Sequence, residues 1–265
     1  MSIADLGALP RTSRKGSISQ ALRRDVRWAR AAKHPAKGVW KDRMPDSAEP
    51  RRKGAKAKAA TRTNDPDKTR ADILGVAFRE FAERGFAGAR VDEIAEQTRT
   101  SKRMIYYYFE SKDGLYKAVL ADYYQRLRGA ERSLHLEDHA PLEALKELVG
   151  FTFDWHATHP EGVRLIMTEN IHQGRYVAEL PTAEALNSVI INSVRSIVER
   201  GIKAGVIRPE IDPVDLYQSI AALNFFNVSN RYTFSKIFDV DMASPKATAA
   251  RRASVIDAIL NYVKP

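Results

Sequence analysis

From Asp67 to the end of the chain, apolar residues recur at helical spacing, and helix-start signals punctuate them. Asp65-Pro66 and Asp212-Pro213 each set an N-cap acceptor before a proline whose fixed φ suits a first helical turn. Pro141 and Pro160 open two further runs, and Ser101, Ser111 and Thr182 stand as caps before three more. Strand-type alternation is nearly absent, so the pattern confines the chain to an all-α fold of about nine or ten helices. The first helix holds Ile73, Leu74, Ala77, Phe78, Phe81 and Ala82 and stops at Gly85. Short helices are expected from Val91 and Ser101, and longer ones from Ser111, Pro141 and Pro160. A less regular stretch, 172–181, precedes a long helix at 182–204 with Leu186, Val189, Ile190, Val194, Ile197 and Val198. A helix from Val214 to about Tyr232 and a last one from Ala247 to Val263 complete the reading. It divides the folded part into a small head, 67–112, and a helical body, 113–265.

Charge divides the chain elsewhere. Residues 1–66 carry 17 Lys+Arg against 6 Asp+Glu, while residues 67–265 carry 26 against 27. The whole basic excess therefore lies in the first quarter. Arg51 to Thr63, RRKGAKAKAATRT, has no large apolar residue to offset the entropy of ordering, so 1–66 is read as a disordered basic extension. Such a segment neutralises phosphates but holds no side chain in fixed geometry over a base edge, which makes it an accessory to nucleic-acid binding. Met44-Pro45-Asp46-Ser47 also reads as a native start, leaving residues 1–43 open to being upstream sequence.

Several function classes drop out. The chain has no cysteine, which excludes a disulfide framework, an iron–sulfur cluster and a Cys nucleophile. Its apolar runs, such as Val189-Ile190-Ile191, fall far short of the roughly 20 residues a membrane span needs, so a cytoplasmic protein is expected. No nucleophile elbow, phosphate loop, dinucleotide fingerprint or zincin motif is present, and Glu143, Glu147 and Asp154 read as solvated faces. Neither an enzyme nor a cofactor is expected. The pairs His135/His139 and His156/His159 have metal-compatible spacing but lack acidic or cysteine companions, so no metal site is expected.

Residues 91–109, VDEIAEQTRTSKRMIYYYF, have the spacing of a helix-turn-helix: a helix at 91–97, the connection Thr98-Arg99-Thr100, and a second helix from Ser101. The second helix gathers three kinds of contact group. Ser101 opens it with free amides that favour phosphate; Lys102 and Arg103 reach phosphates or guanine edges; Tyr106, Tyr107 and Tyr108 offer hydroxyls to phosphate oxygens. One or two of the three tyrosines are expected in the core.

The joint pattern resembles the tetracycline-repressor (TetR) family of bacterial one-component regulators. Gly85, Phe86, Ala89, Val91, Ile94, Ala95, Ser101, Ile105, Tyr106, Tyr108, Phe109, Ser111, Lys112 and Leu115 stand in register with its motif. The resemblance implies a ligand-responsive repressor that binds a palindromic double-stranded DNA operator as a dimer. It places Lys102, Arg103, Tyr106, Tyr107 and Lys112 near DNA, with Arg90, Val91, Asp92 and Ser101 at the helix starts. Within that set, Tyr107 and Lys112 are expected on phosphate and Arg103 on base edges. Thr98-Arg99-Thr100 departs from the Ala-Gly-Val common in the family's turn, Arg103 replaces a small residue, and Gly114 stands near a common acidic position. An arginine at a left-handed position would cost about 1 kcal/mol.

The resemblance also implies a body that dimerises and binds a small-molecule effector. Residues 182–204 and 213–232, with their long apolar rows, are the expected dimer helices. Pocket candidates are Trp155, His156, Met167, Asn170, His172, Arg175, Tyr176, Asn224, Phe225 and Tyr232, with Arg175 or His172 available to a carboxylate. The polar segment Glu169 to Arg175 reads equally as a hydrogen-bonded loop that tethers the preceding helix. Two other readings of the whole chain are a non-specific nucleic-acid binder driven by the basic extension, and a helical enzyme.

Overall fold

The computed structural model describes residues 65–180 and 183–265, with the backbone alone for 183–188. The expectations placed on residues 1–64, on the Thr182 cap and on the Leu186 side chain lie outside the described residues. The described residues contain helices and no strand. The head comprises α1 (Pro66–Gly88), α2 (Val91–Gln97) and α3 (Lys102–Phe109), and α4 (Lys112–Arg132) runs from it into the body. After a 3-10 turn at Leu136–Asp138 come α5 (Pro141–Thr158), α6 (Pro160–Ile171), α7 (Arg175–Ala178), α8 (Ala183–Lys203), α9 (Pro213–Ser229), α10 (Arg231–Phe238) and α11 (Pro245–Val263).

The start signals act through their side chains. Asp65 accepts from the amides of Asp67 and Lys68 at 3.1 and 3.2 Å, Ser101 from Met104 at 3.2 Å, and Ser111 from Gly114 at 3.0 Å. Asp212 accepts from Val214 and Asp215 at 2.9 and 2.8 Å. Each bond satisfies an amide that the first turn leaves without a partner. Gly85, at φ +67°, ends the regular turns of α1. Three boundaries differ from expectation. The irregular stretch contains the four-residue α7. The helix expected to reach Tyr232 breaks at Asn230, whose Nδ2 donates to Ser229 Oγ at 2.8 Å and whose carbonyl accepts from Thr233 Oγ1 at 3.2 Å, local bonds that compete with helix continuation. The last helix starts at Pro245, capped by Ser244.

Two apolar cores result. The first joins Ile73, Ala77 and Phe81 of α1, Val91 and Ile94 of α2, and Ile105 and Phe109 of α3 to Leu115, Tyr116 and Leu120 of α4, and it extends to Leu165 and Tyr176. The second joins Leu145, Leu148 and Val149 of α5 with Ile190, Val194, Ile197 and Val198 of α8, Leu216 and Ile220 of α9, and Val255, Ile259 and Val263 of α11. The apolar row of α8 that suggested a dimer interface is thus spent on the protein's own core, with Val194 and Ile197 at 0% exposure. Its outer face, Asn192, Arg195, Ser196, Glu199 and Lys203, is polar.

Two of the three departures in the head, those at Arg99 and Gly114, have a backbone explanation. Arg99 is left-handed, φ +52°, and sits between Arg99 N–Glu96 O and Thr100 N–Ala95 O bonds of 3.1 and 3.0 Å that close α2. Arg99→Gly is therefore expected to raise stability by about 1 kcal/mol, read from denaturant midpoints; a destabilised variant would show that the guanidinium contributes more than the backbone costs. Glu110, at φ +65°, folds the α3–α4 turn so tightly that a Cβ on Gly114 would run into the Phe109 carbonyl oxygen, so an acidic side chain has no room there.

Candidate nucleic-acid interface and interior polar cluster

Helix α3 has two faces. Ile105 and Phe109 are buried and Met104 and Tyr108 half-buried, while Ser101, Lys102, Arg103, Tyr106 and Tyr107 are exposed. Tyr107 is 76% exposed and Tyr106 37%, which leaves aromatic surface open on this outer face. Lys102 Nζ lies 3.1 Å from Asp92 Oδ2, so the first residues of α2 orient a cation on α3. Asp92, an anion at the start of α2, is the partner of Lys102. Arg90 is exposed; its amide donates to Glu80 Oε1 at 3.3 Å and its guanidinium lies 3.6 Å from Glu93.

Two of the expected contact residues are covered to different degrees. Val91 is 6% exposed, with its side chain in the first core, so only its backbone faces outward. Lys112 is partly covered: its Nζ donates to the Ala87 carbonyl at 3.3 Å and sits 5.0 Å from the Phe86 ring centre. Burial lowers its pKa, and its bond to the Ala87 carbonyl ties the start of α4 to the end of α1. Glu80 was not foreseen. It is 4% exposed and ties α1 to α2 through Arg84 and the Arg90 amide. Its position on the Ala77–Phe81 face was the available signal.

The ten pocket candidates fall in three places. His156, Asn224 and Phe225 come together where α5 meets α9, with the His156 and Phe225 rings 5.7 Å apart, edge to face. Trp155, the preceding residue of α5, turns toward α4, its Nε1 donating to the Tyr123 hydroxyl at 3.4 Å. His172, Arg175 and Tyr176 belong instead to the junction with the head. There Tyr176 and Phe86 are 4.9 Å apart, His172 and Phe86 6.0 Å, and the Arg175 guanidinium lies 5.3 Å from the Tyr176 ring centre. Glu169, 4% exposed, accepts from the Tyr176 and Val177 amides at 2.7 and 3.0 Å, making this segment a hydrogen-bonded loop. Met167, Asn170 and Tyr232 are exposed on α6 and α10.

Asn224 is 1% exposed; its Nδ2 donates to Ile220 O at 2.9 Å, and its Oδ1 has no partner. Asn227, 3% exposed on the same face and not foreseen, has an unpartnered Nδ2, and His156 an unpartnered Nδ1. Burial, with a smaller contribution from His159, lowers the His156 pKa from 6.5 to about 4. The imidazole is neutral in the fold, while the unfolded chain takes up a proton below pH 6.5. Stability attributable to His156 should hold above pH 6.5 and fall from there to about pH 4, by up to about 3 kcal/mol. His156→Gln should flatten the pH dependence of unfolding in that window, and an unchanged slope would remove the assignment.

A capped, basic, tyrosine-bearing helix presented by a three-helix head defines the helix-turn-helix class of DNA-binding protein. Comparison with known proteins narrows the class. Residues 73–119 match the family described as bacterial regulatory proteins, tetR family, and residues 141–259 match the tetracyclin repressor-like C-terminal domain. The transcriptional repressor NicS of Pseudomonas putida is 38% identical over 192 residues, which span 72% of this chain and 91% of NicS. The transcriptional repressor SCO4008 of Streptomyces coelicolor is 32% identical over 161 residues, 60% of this chain and 78% of the relative. The solved structure of the putative transcriptional regulator SCO4942 of Streptomyces coelicolor aligns with TM-score 0.58 and 30% identity, covering 74% of this chain and 99% of that one. The chain belongs to the TetR family and is a DNA-binding transcriptional regulator. Among the described residues no helix is long and apolar enough to cross a membrane.

Proposed function

We propose that the protein is a cytoplasmic repressor that binds a palindromic operator as a homodimer and leaves it when a small effector enters the body. The observation that carries the reading is the exposed face of α3, where Lys102, Arg103, Tyr106 and Tyr107 stand together above a buried apolar face. Arg103 is assigned to a base edge and Tyr107 to phosphate. Arg103→Ala is expected to relax preference at one base pair per half-site, at about 1–3 kcal/mol. Tyr107→Phe should weaken all sequences alike. The test is gel-shift titration against an operator selected from random DNA and against its scrambled form. Parent affinity in both variants would sink the assignment.

The dimer surface is assigned to α9, α10 and α11. Val214, Phe226, Tyr232, Ile237, Phe238, Val240 and Tyr262 are the large apolar side chains exposed along that stretch, and α10 has no buried residue. An apolar strip of this kind marks an interaction surface. The effector site is assigned to the meeting of α5 and α9, around Trp155, His156, Asn224 and Phe225, because buried polar atoms without protein partners lie there.

A further inference from the structure

Three carboxylates are buried among the described residues, Glu80, Glu131 and Glu169, and the last stands apart. Glu80 lies 3.4 Å from Arg84 and Glu131 2.7 Å from Arg128, whereas Glu169 joins no ion pair among the described residues. Its Oε1 is held by neutral donors instead, the Tyr176 and Val177 amides at 2.7 and 3.0 Å. Its backbone carbonyl accepts from the Gly174 amide at 3.0 Å. One residue of α6 thus closes its own helix through the backbone and starts α7 through the side chain. Between these bonds lie Gln173 and Gly174, left-handed at φ +58° and +72°. A residue with a side chain is strained in that conformation, and the flanking bonds offset the cost.

The segment that Glu169 organises is where the body meets the head. Tyr176, 4% exposed, and Leu180, 7% exposed, belong to the first core. With Leu165 of α6, they are the buried side chains that the elements after α4 contribute to it. The Tyr176 ring lies 4.9 Å from Phe86, near the end of α1, and 5.0 Å from Tyr116, near the start of α4. Lys117, the next residue of α4, donates from Nζ to Glu179 Oε2 at 3.2 Å. Burial raises the pKa of the Tyr116 hydroxyl, and the Glu169 carboxylate raises it further, so the anion of α6 faces the first turns of α4 as well as α7. Helices α1 and α4 bracket the helix-turn-helix in the chain. Fixing both against the body fixes the direction in which α3 points.

We propose that Glu169 is a positioning residue for DNA binding, which holds α7 in place and through it sets the direction in which the head presents α3. The proposal rests on the dimeric reading above, because only two joined heads must match the spacing of two half-sites. The second head adds affinity through effective concentration, and that gain is lost when geometry keeps both heads from engaging together. Affinity for the whole operator therefore depends on Glu169, and affinity for a single half-site does not.

The test is gel-shift titration of the full-length protein against the operator selected from random DNA and against a duplex carrying one of its half-sites. The ratio of the two affinities does not change with the fraction of folded protein, so a merely structural role leaves it unmoved. The parent should favour the whole operator by roughly 100-fold or more. Glu169→Ala, which leaves the two amides without an acceptor, should lower that ratio by about ten-fold or more, with half-site affinity at the parent level. Glu169→Gln keeps an acceptor for both amides and should stay close to the parent ratio. Gly174→Val loosens the same turn at a left-handed position with open space around it, and takes the place of Glu169→Ala if that variant does not fold. A parent ratio in Glu169→Ala, or in Gly174→Val in its place, would overturn the proposal, as would a loss in Glu169→Gln as large as that in Glu169→Ala. A parent protein that binds half-site and whole operator equally would remove the dimeric reading, and the proposal with it.

Discussion

Val194→Asp is expected to abolish folding rather than to split a dimer. The side chain is at 0% exposure within the second core, on the row of α8 that also holds Ile190, Ile197 and Val198. A carboxylate there meets apolar side chains of α5, α9 and α11 and no cation. The cost of an unpaired buried charge, about 4 kcal/mol or more, is a large share of a typical domain's ~5–15 kcal/mol. Loss of the cooperative unfolding transition, or of soluble protein, is the expected readout. Phe238→Asp is the contrasting variant. Phe238 is 53% exposed on α10, so the charge stays hydrated and the monomer keeps its fold. If α9–α11 form the interface, that variant should sediment as a monomer at micromolar concentration and lose operator affinity. A folded, monomeric Val194→Asp would return the interface to α8, and a dimeric Phe238→Asp would remove it from α10.

That contrast shows what periodicity can and cannot reveal. The row Ile190, Val194, Ile197 and Val198 was legible as one face of a helix, but spacing does not say whether the same chain or a second copy covers it. Its covering residues, Leu145 to Val149 of α5 and Leu216 and Ile220 of α9, come from distant sequence. The head was legible for the opposite reason. Its caps at Asp65, Ser101 and Ser111, the left-handed Gly85 and Arg99, and the inward spacing of Ile94, Ile105 and Phe109 all act within a few residues. The pocket candidates are aromatic or polar residues on neighbouring stretches of sequence. Only the fold could separate His156, which meets Phe225, from His172, which meets Phe86. Lys112 was legible as a cation beside the start of α4, but the carbonyl of Ala87 that engages it lies at the end of another helix.

The buried pair on α4 should give the other large effect. Arg128 and Glu131 are 5% and 4% exposed in their side chains, one turn apart, and Arg128 Nη1 also donates to the Tyr217 hydroxyl of α9 at 3.1 Å. The Arg128 guanidinium sits 5.8 Å from the centre of the same ring. Because α4 carries Leu115 and Tyr116 of the first core at its start and this pair near its end, the pair holds the helix that leaves the head against α9. Removing one member strands the other charge away from water. Arg128→Met and Glu131→Gln should each cost about 3–5 kcal/mol, a Tm fall of about 6–20 °C for a folded unit of this size. Removing both behaves differently: Arg128→Leu with Glu131→Leu eliminates two desolvated charges together and should lie close to the parent, since an apolar replacement of such a pair is often neutral. The double-mutant cycle therefore should show a coupling of about 3 kcal/mol or more, well above that of an exposed pair such as Lys146–Glu143. Single variants that lose less than about 1 kcal/mol would mean that water reaches the pair in solution, and α4 would then be free to move against α9 without breaking an ion pair.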